Sequence, residues 1–557
     1  MNTKTITTQI LILVTLLAAS VATFAQENDL TKQVQVVRPY EPSISDAFKL
    51  NLLPIVEDTI KLNPTFNYNL TLRPVSINFP VNNISPARMV AEPLSLANKA
   101  YVKVGFGNYL SPLAEVYYAS TRQKKYSYGA SLKYKGSFGK VKLDNNQKVD
   151  GSFNHFNANA FGKRIFKNAA LDGGLSFSHF SYGFYGHDTT LAALPIPSEV
   201  EAQKQQNFSV GANFYSTYSD SVHLNYKAST WYNHFADNYS NEQNSVGLQM
   251  HFEKFFKMEK VGASLGFTHH NVGQNPSLKS QTTLNLSPWV GLFGSQWRSQ
   301  VGVLAAINTM DSKTQMHLYP IGFISYDIIA NYLIPYFQFS GYLEENHYAK
   351  ILNENPWATP GLNVVNTSHK FIVKGGLKGN MNPKVAYNIS ASYELIDSAY
   401  FFVNTVDPTN LFLLNKFDVV YDNIQHKHFV GELTIAPVTR IKIAFAAEYN
   451  TYTMSELPAP WHKPKFIGRA NLRYNIKDKI LATAEFFVEG KRNVRSLAND
   501  LIEIDGLMDV NLCIEYRLNK RASGFLNLNN LTGNRAHQWY LYPTHQFNMM
   551  AGITYTF

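Results

Sequence analysis

One cysteine, Cys513, is all the chain has, which excludes an intrachain disulfide framework. Charge is scarce too. Asp, Glu, Lys and Arg make up 16% of the residues, against about 25% in an ordinary soluble domain. Basic residues form no tract, and a net charge of +10 is spread over 557 residues, so no footprint for nucleic acid is present. No second apolar run of spanning length comes after the first 25 residues, which excludes a helical membrane span there. Catalytic signatures are missing as well: no H-E-x-x-H, no paired cysteine, no phosphate loop. "GFGN" (105–108) lacks a third glycine and a following helix. The chain is therefore not expected to be an enzyme, and nothing implies a cofactor or a metal. His269 and His270 are adjacent, so in a strand they face opposite ways and cannot serve one site.

Aromatic residues are in excess. Phe, Tyr and Trp reach 14%, with 33 Tyr and 37 Phe. Few charges and many Tyr and Phe suit an outer surface that faces something less polar than water.

The first residues, "MNTKTITTQILILVTLLAASVATFAQ", put Lys4 before an apolar run from Ile10 to Ala19, then small residues up to Ala25. That order predicts a secretory signal peptide over 1–25, cut after Ala25 or else after Ala22. The run falls short of the about 20 residues that a spanning helix needs. No cysteine lies near the cut, so a lipoprotein is not expected. Residues 26–99 are Pro-rich and lack long alternation, as in "VVRPYEPSISDAFKLNLLPIVEDT". They are expected to form a periplasmic or lumen-threading segment, or a handle for a periplasmic partner.

From residue 100 to 557 one pattern repeats: segments of roughly ten residues in which apolar and polar side chains alternate. Val246, Leu248, Met250 and Phe252 alternate with Gly247, Gln249 and His251. Ile441, Ile443, Phe445, Ala447 and Tyr449 alternate with Lys442, Ala444 and Glu448. Period two means strands. These are longer than the five or six residues usual in soluble sheets. Their polar face carries Lys, Glu, Arg and Asn at mid-strand, and Tyr and Phe gather at the ends of the apolar face, as membrane girdles require. In lipid every backbone group must be paired internally, and a closed sheet does that. The fold class expected is all-β: a transmembrane antiparallel β-barrel of roughly 22 strands, within about 18 to 24, preceded by the signal peptide and the short N-terminal segment. Long connections, around 183–205, 347–367, 404–416 and 490–502, should be external. "TRQKK" (121–125) and "NIKDK" (475–479) should be short periplasmic turns.

The end of the chain, "FLNLNNLTGNRAHQWYLYPTHQFNMMAGITYTF" (525–557), resembles the C-terminal end of TonB-dependent receptor barrels. An Asn-Leu pair closes the penultimate strand, a loop with aromatics and a Tyr-Pro comes next, and the last strand ends aromatic-x-Phe. Tyr555 and Phe557 also match the end signal of outer-membrane proteins, which implies the barrel-assembly machinery as a partner and outer-membrane lipid as the surroundings. "GNYLSPLAEVYY" (107–118), "NENPWATPGL" (353–362) and "PAPWHKPKF" (458–466) look like pieces of receptor-like barrels from Bacteroidota. Receptors of this family carry a plug domain of well over a hundred residues ahead of the barrel, and none fits here. The resemblance implies TonB as a possible partner, with "KQVQVVRPYEP" (32–42) placed where a strand-adding TonB box would lie.

On the polar face, consecutive strands carry Lys442 and Glu448, Arg469 and Arg473, Glu485 and Glu489, then Glu515 and Arg517. These are the candidate lumen-lining charges. They either pair across strands or set the passage of a charged solute, and the interleaved signs favour pairing. His179 and Ser181 share the lipid-facing side of one strand. A base beside a hydroxyl can activate it, but no orienting third residue can be named. The function expected is solute transport or uptake across the outer membrane. The alternatives are an envelope scaffold or partner-binding barrel and, remotely, a lipid hydrolase.

Overall fold

The computed structural model describes residues 98–557 except 121–122, 124, 190–199, 219, 258, 274, 276–277, 407–412 and 497–500. The expected signal peptide, the 26–99 segment apart from its last two residues, and the stretch at 32–42 lie outside the described residues. The rest is a 22-stranded antiparallel sheet. The sheet closes on itself: the final strand, Asn548–Thr556, pairs with the first, Ala100–Gly107, with Val104 opposite Ile553. Two backbone bonds finish the seam, Lys99 N–H to Phe557 O and Phe557 N–H to Ala100 O, each 2.9 Å. No helix among the described residues is long and apolar enough to cross a membrane; here strands do the crossing.

The alternation read from the sequence sets the two faces. On the last strand Met549, Ala551, Ile553, Tyr555 and Phe557 point outward, with Ile553 62% and Phe557 61% exposed, while Met550 and Thr554 are buried inside. Phe429, Val301 and Leu318 repeat this on other strands. Exposed apolar surface on this scale would be a liability in water and is what a lipid-facing wall needs.

The inner wall is less uniformly polar than the alternation suggests. Trp231 lies over Gly247 and Trp289 over Gly262. Phe525 lies over Gly105 and Gly552. An inward ring needs floor space, and glycine opposite it provides that space. At Gly552 a Cβ would stand 2.1 Å from Val104 O, so the closing seam itself requires glycine.

Both ends of an even-numbered barrel emerge on one side, which the short-turn rule makes periplasmic. On that side the connections are brief, such as 383–384, 439–440 and 477–479. On the other lie 138–152, 184–201, 345–366, 455–465, 490–506 and 530–547. The described parts of the stretches around 183–205, 347–367 and 490–502 fall on the expected external side, and the connection expected within 404–416 lies outside the described residues, at 407–412. Segments 138–152, 455–465 and 530–547 are long as well, which the sequence pattern did not reveal.

The apolar core does not line the wall. It gathers at the external mouth, where Tyr348, Ile351, Leu352, Phe402, Phe417 and Trp539 pack in one cluster. A second cluster around Phe401, Val403, Ile424 and Trp461 adjoins the longest hairpin. That hairpin, Val385–Val406 with Leu413–Val438, runs past the about ten residues a membrane crossing needs. Its register breaks between Ile396 and Ala399, where Ser398 adopts φ 53°. A bulge there bends the strand and re-aims its outer end. In that outer end Phe401, Phe402 and Val403 are buried in the two clusters.

Candidate functional site

External segments from distant parts of the sequence meet over the lumen. The helix α1 (Tyr348–Glu354) is the centre of this cap. One face of it, Tyr348, Ile351 and Leu352, is buried. His347 caps its first turn by accepting the Lys350 N–H. Tyr348 donates to Asp237 at 2.7 Å and accepts from Asn241 at 2.9 Å, which ties the helix to the wall. After the helix, Pro356 blocks its continuation and Trp357 turns inward. The Trp357 ring stacks on Tyr542 at 4.0 Å and meets Tyr185 edge-on at 5.8 Å. Its indole N–H donates to Gly183 O at 3.0 Å. Trp539 lies 4.9 Å from Phe402 and 5.3 Å from His462. Arg492 reaches across from 490–506 and donates to Gln538 O at 2.7 Å. The 455–465 segment is held by Asp422, whose buried carboxylate accepts the N–H groups of Ser455, Glu456 and Leu457.

Below the cap lies a cavity of about 1080 Å³. Its wall presents Gln205, Asn207, Asn233, Ser178, Ser209 and Trp231. A second cavity of about 830 Å³, with Asn511, Asn527 and Asn529 on its wall, shares Lys135, His155 and His545 with the first, so the two form one chamber. The polar lining is dominated by amides and hydroxyls already ordered by one another. Asn233 donates to Asn207 at 2.6 Å and to Ser209 at 2.7 Å. His155 bonds Ser178 at 3.0 Å. Amides offer a donor and an acceptor from one rigid group, and Trp231 and Phe180 add flat apolar faces. Such a wall binds neutral hydrogen-bonding solutes without needing a counter-charge.

The eight charges named from sequence share the inner face but do not form one site. Lys442 stands directly opposite Arg473, like beside like, near the periplasmic end. Arg469 lies opposite Ala446 and 5.7 Å from the Phe487 ring. Glu448 finds His428 at 3.6 Å and Glu489 finds Arg492 at 3.6 Å. Glu485 accepts from Asn471 at 3.3 Å. Glu515 is buried opposite Phe525, and Arg517 donates to Asp478 O at the periplasmic turn. Partners thus come partly from neighbouring strands, as His428 and Asn471 do, and partly from connections, as Arg492 and Asp478 do.

A histidine–carboxylate row on the neighbouring strands carries no signature in the sequence. His369 lies 3.3 Å from Glu344 and 3.5 Å from Glu394, and His426 is 3.9 Å from Glu394. Among the described residues no group of three or more such side chains could hold a metal ion. His179 and Ser181 face outward, their cross-strand partners being Gln206 and Lys204, and no hydrogen bond joins them. His269 and His270 do part: His269 bonds Thr282 outside, and His270 bonds Ser245 inside.

In the cap the buried histidines are held neutral. Burial, aided by His270 and Lys350, pushes His347 down to about 3. Burial, aided by Arg492 and Lys463, pushes His462 down to about 3 although its bond to Phe402 O works the other way.

The closed 22-stranded barrel is a fold shared with solved outer-membrane receptors and transporters, and the protein is an outer-membrane β-barrel. Solved structures similar to it include the FrpB iron transporter from Neisseria meningitidis (F5-1 variant), with a TM-score of 0.64, 10% identity, and 83% of each chain covered. The copper transporter OprC gives a TM-score of 0.62 at 10% identity over 83% of this chain and 80% of that one. The ferric-catecholate import receptor Fiu from K12 E. coli, in its closed form, gives 0.62 at 7% over 83% and 82%. These are transporters and receptors rather than enzymes, and at such identities the likeness is one of fold. No protein-family model and no curated protein matches the sequence.

Proposed function

We propose that this barrel takes up a polar solute of little net charge from outside the cell, holding it in the chamber under the cap. The observation that supports the reading is a cavity of about 1080 Å³ lined by amides, hydroxyls and aromatic faces, closed on the external side by a packed core. Passive flow suits neither the cap nor a wall so rich in directed hydrogen-bond groups. A binding step and then opening does. Residues 26–99 are the proposed internal stopper, and 32–42 the proposed docking strand for TonB, which would supply the work of opening.

Planar-bilayer conductance tests this. The intact chain should pass little current, and a chain that lacks residues 26–99 and has a weakened cap, Trp357→Ala, should pass much more. If neither passes current, the uptake reading fails and the barrel is better read as an envelope scaffold.

A further inference from the structure

Histidine is unevenly placed between the two ends of the barrel. The external segments carry His187, His347, His462, His537 and His545, and the periplasmic turns carry His223. Several of the external ones sit inside the cap where a charge has no place.

His347 is the clearest case. Its Nδ1 accepts the Lys350 N–H at 3.2 Å and the Gln243 side-chain N–H at 2.9 Å. Its ring stacks on His270 at 4.4 Å. A proton on Nδ1 would face two donors and would also stand at the positive end of α1. The charged and titratable groups around it are His270 from the wall and Glu344, Glu345 and Lys350 from its own segment. Glu345 bonds His270 at 3.2 Å. Glu344 is engaged by Lys350 at 2.6 Å and by His369 at 3.3 Å.

His462 repeats the logic on another segment. Its Nδ1–H donates to Phe402 O at 2.9 Å, and its Nε2 accepts the Tyr540 N–H at 3.4 Å. Its ring packs against Trp539 and Phe417. The charges near it, Arg492 and Lys463, are both positive, each with a carboxylate of its own, Glu489 and Glu354. His537, on the same side of the barrel, lies 3.3 Å from Asp144.

We propose that the cap is an acid-released lid, in which protonation of His347 and His462 unseats α1 and Trp539 and opens the mouth below neutral pH. Both groups titrate lower in the closed cap than when freed. Above about pH 6.5 neither form binds the proton, so the balance does not depend on pH. Below it the open form takes up protons that the closed form refuses, down to about pH 3, where the closed form also charges. Each of these two histidines then shifts the balance toward opening by up to about tenfold per pH unit. The value of such a lid rests on the uptake reading, since it regulates the same chamber; the acid response itself does not.

The test uses the full chain in lipid, taken from about pH 7.5 to about pH 4.5 and back. Three of the six tryptophans, Trp357, Trp461 and Trp539, lie in the cap. Their emission should shift to the red on acidification and return on neutralisation, while the unheated barrel keeps its fast gel mobility. In the variant His347→Asn/His462→Asn the amide keeps an acceptor and cannot titrate, so the midpoint should fall by a pH unit or more. A wild-type emission that does not move, a midpoint unchanged in the variant, or a change that coincides with loss of the barrel band would each overturn the lid. A red shift upholds the lid whether or not current follows, while the uptake reading stands or falls by the conductance of the chain without residues 26–99.

Discussion

Trp357 stacks on Tyr542 at 4.0 Å and 26°, joining segments 345–366 and 530–547 across the mouth of the barrel. Tyr542 is 1% exposed, and Trp357 is half-buried, with its ring packed on Tyr542 and lining the cavity. Trp357→Ala should cost the cap about 2–3 kcal/mol, less than the roughly 3–5 kcal/mol for deleting a fully buried ring. The barrel wall does not use this ring, and its thermal unfolding should hardly change. Protease cleavage within 345–366 should rise steeply.

A comparable loss is expected at Asp422, which holds the 455–465 segment. Its carboxylate, 5% exposed, accepts three amide N–H groups from Ser455, Glu456 and Leu457. Asp422→Ala orphans those donors, at roughly 1–3 kcal/mol for each that water does not reach. Asp422→Asn keeps one acceptor oxygen and should lie between. Hydrogen exchange at residues 455–457 measures this directly; equal protection in all three proteins would show that the carboxylate does not anchor the segment.

The wall was legible in the sequence and the cap was not, for one physical reason. A lipid-facing strand must alternate, so Ile553 and Phe429 announce their side by parity alone. The strand count and the pairing of the last strand with the one near Tyr101 come from that parity. A loop core has no period. Tyr185, Trp357, Phe417 and Trp539 are far apart in the chain and meet through folding, and no local pattern joins them. A faint signal existed: "ENPWATPG", "PAPWHKPK" and "QWYLYP" each set a tryptophan near proline, a costly residue to leave on a wet loop. Parity puts the charges on the correct face, but their partners, such as Arg492 for Glu489, come from loops that parity cannot locate.

At the seam, Gly552 should tolerate no side chain. Its Cβ would meet Val104 O at 2.1 Å and the Phe525 ring at 2.6 Å. Backbone cannot move aside without parting the first and last strands, so Gly552→Val should lower the unfolding temperature of the barrel markedly. Gly431, with nothing within 4 Å of its Cβ position, is the control and should accept alanine at little cost.

Phe557 separates assembly from stability. Its ring is 61% exposed and touches Tyr555 at 4.6 Å. So little burial contributes under about 1 kcal/mol to the finished barrel. If Tyr555 and Phe557 are the address that the assembly machinery reads, Phe557→Ala should cut the yield of folded barrel in the outer membrane several-fold. Barrel refolded from denaturant should melt as the parent does. Equal yields in cells would remove the address.

The facing pair Lys442 and Arg473 makes the periplasmic end of one arc basic. Two like charges directly opposite do not neutralise one another, so they act on whatever passes. In a background that lacks residues 26–99 and carries Trp357→Ala, the pore should favour anions at this level. Lys442→Glu with Arg473→Glu should turn the preference toward cations, and either substitution alone should move it part of the way. The lumen is wide, so the effect depends on screening: with a Debye length of about 10 Å at 0.1 M and about 3 Å at 1 M salt, it should be clear in dilute potassium chloride and nearly absent in concentrated. A reversal potential that ignores both substitutions in dilute salt would mean that ions do not pass along this arc.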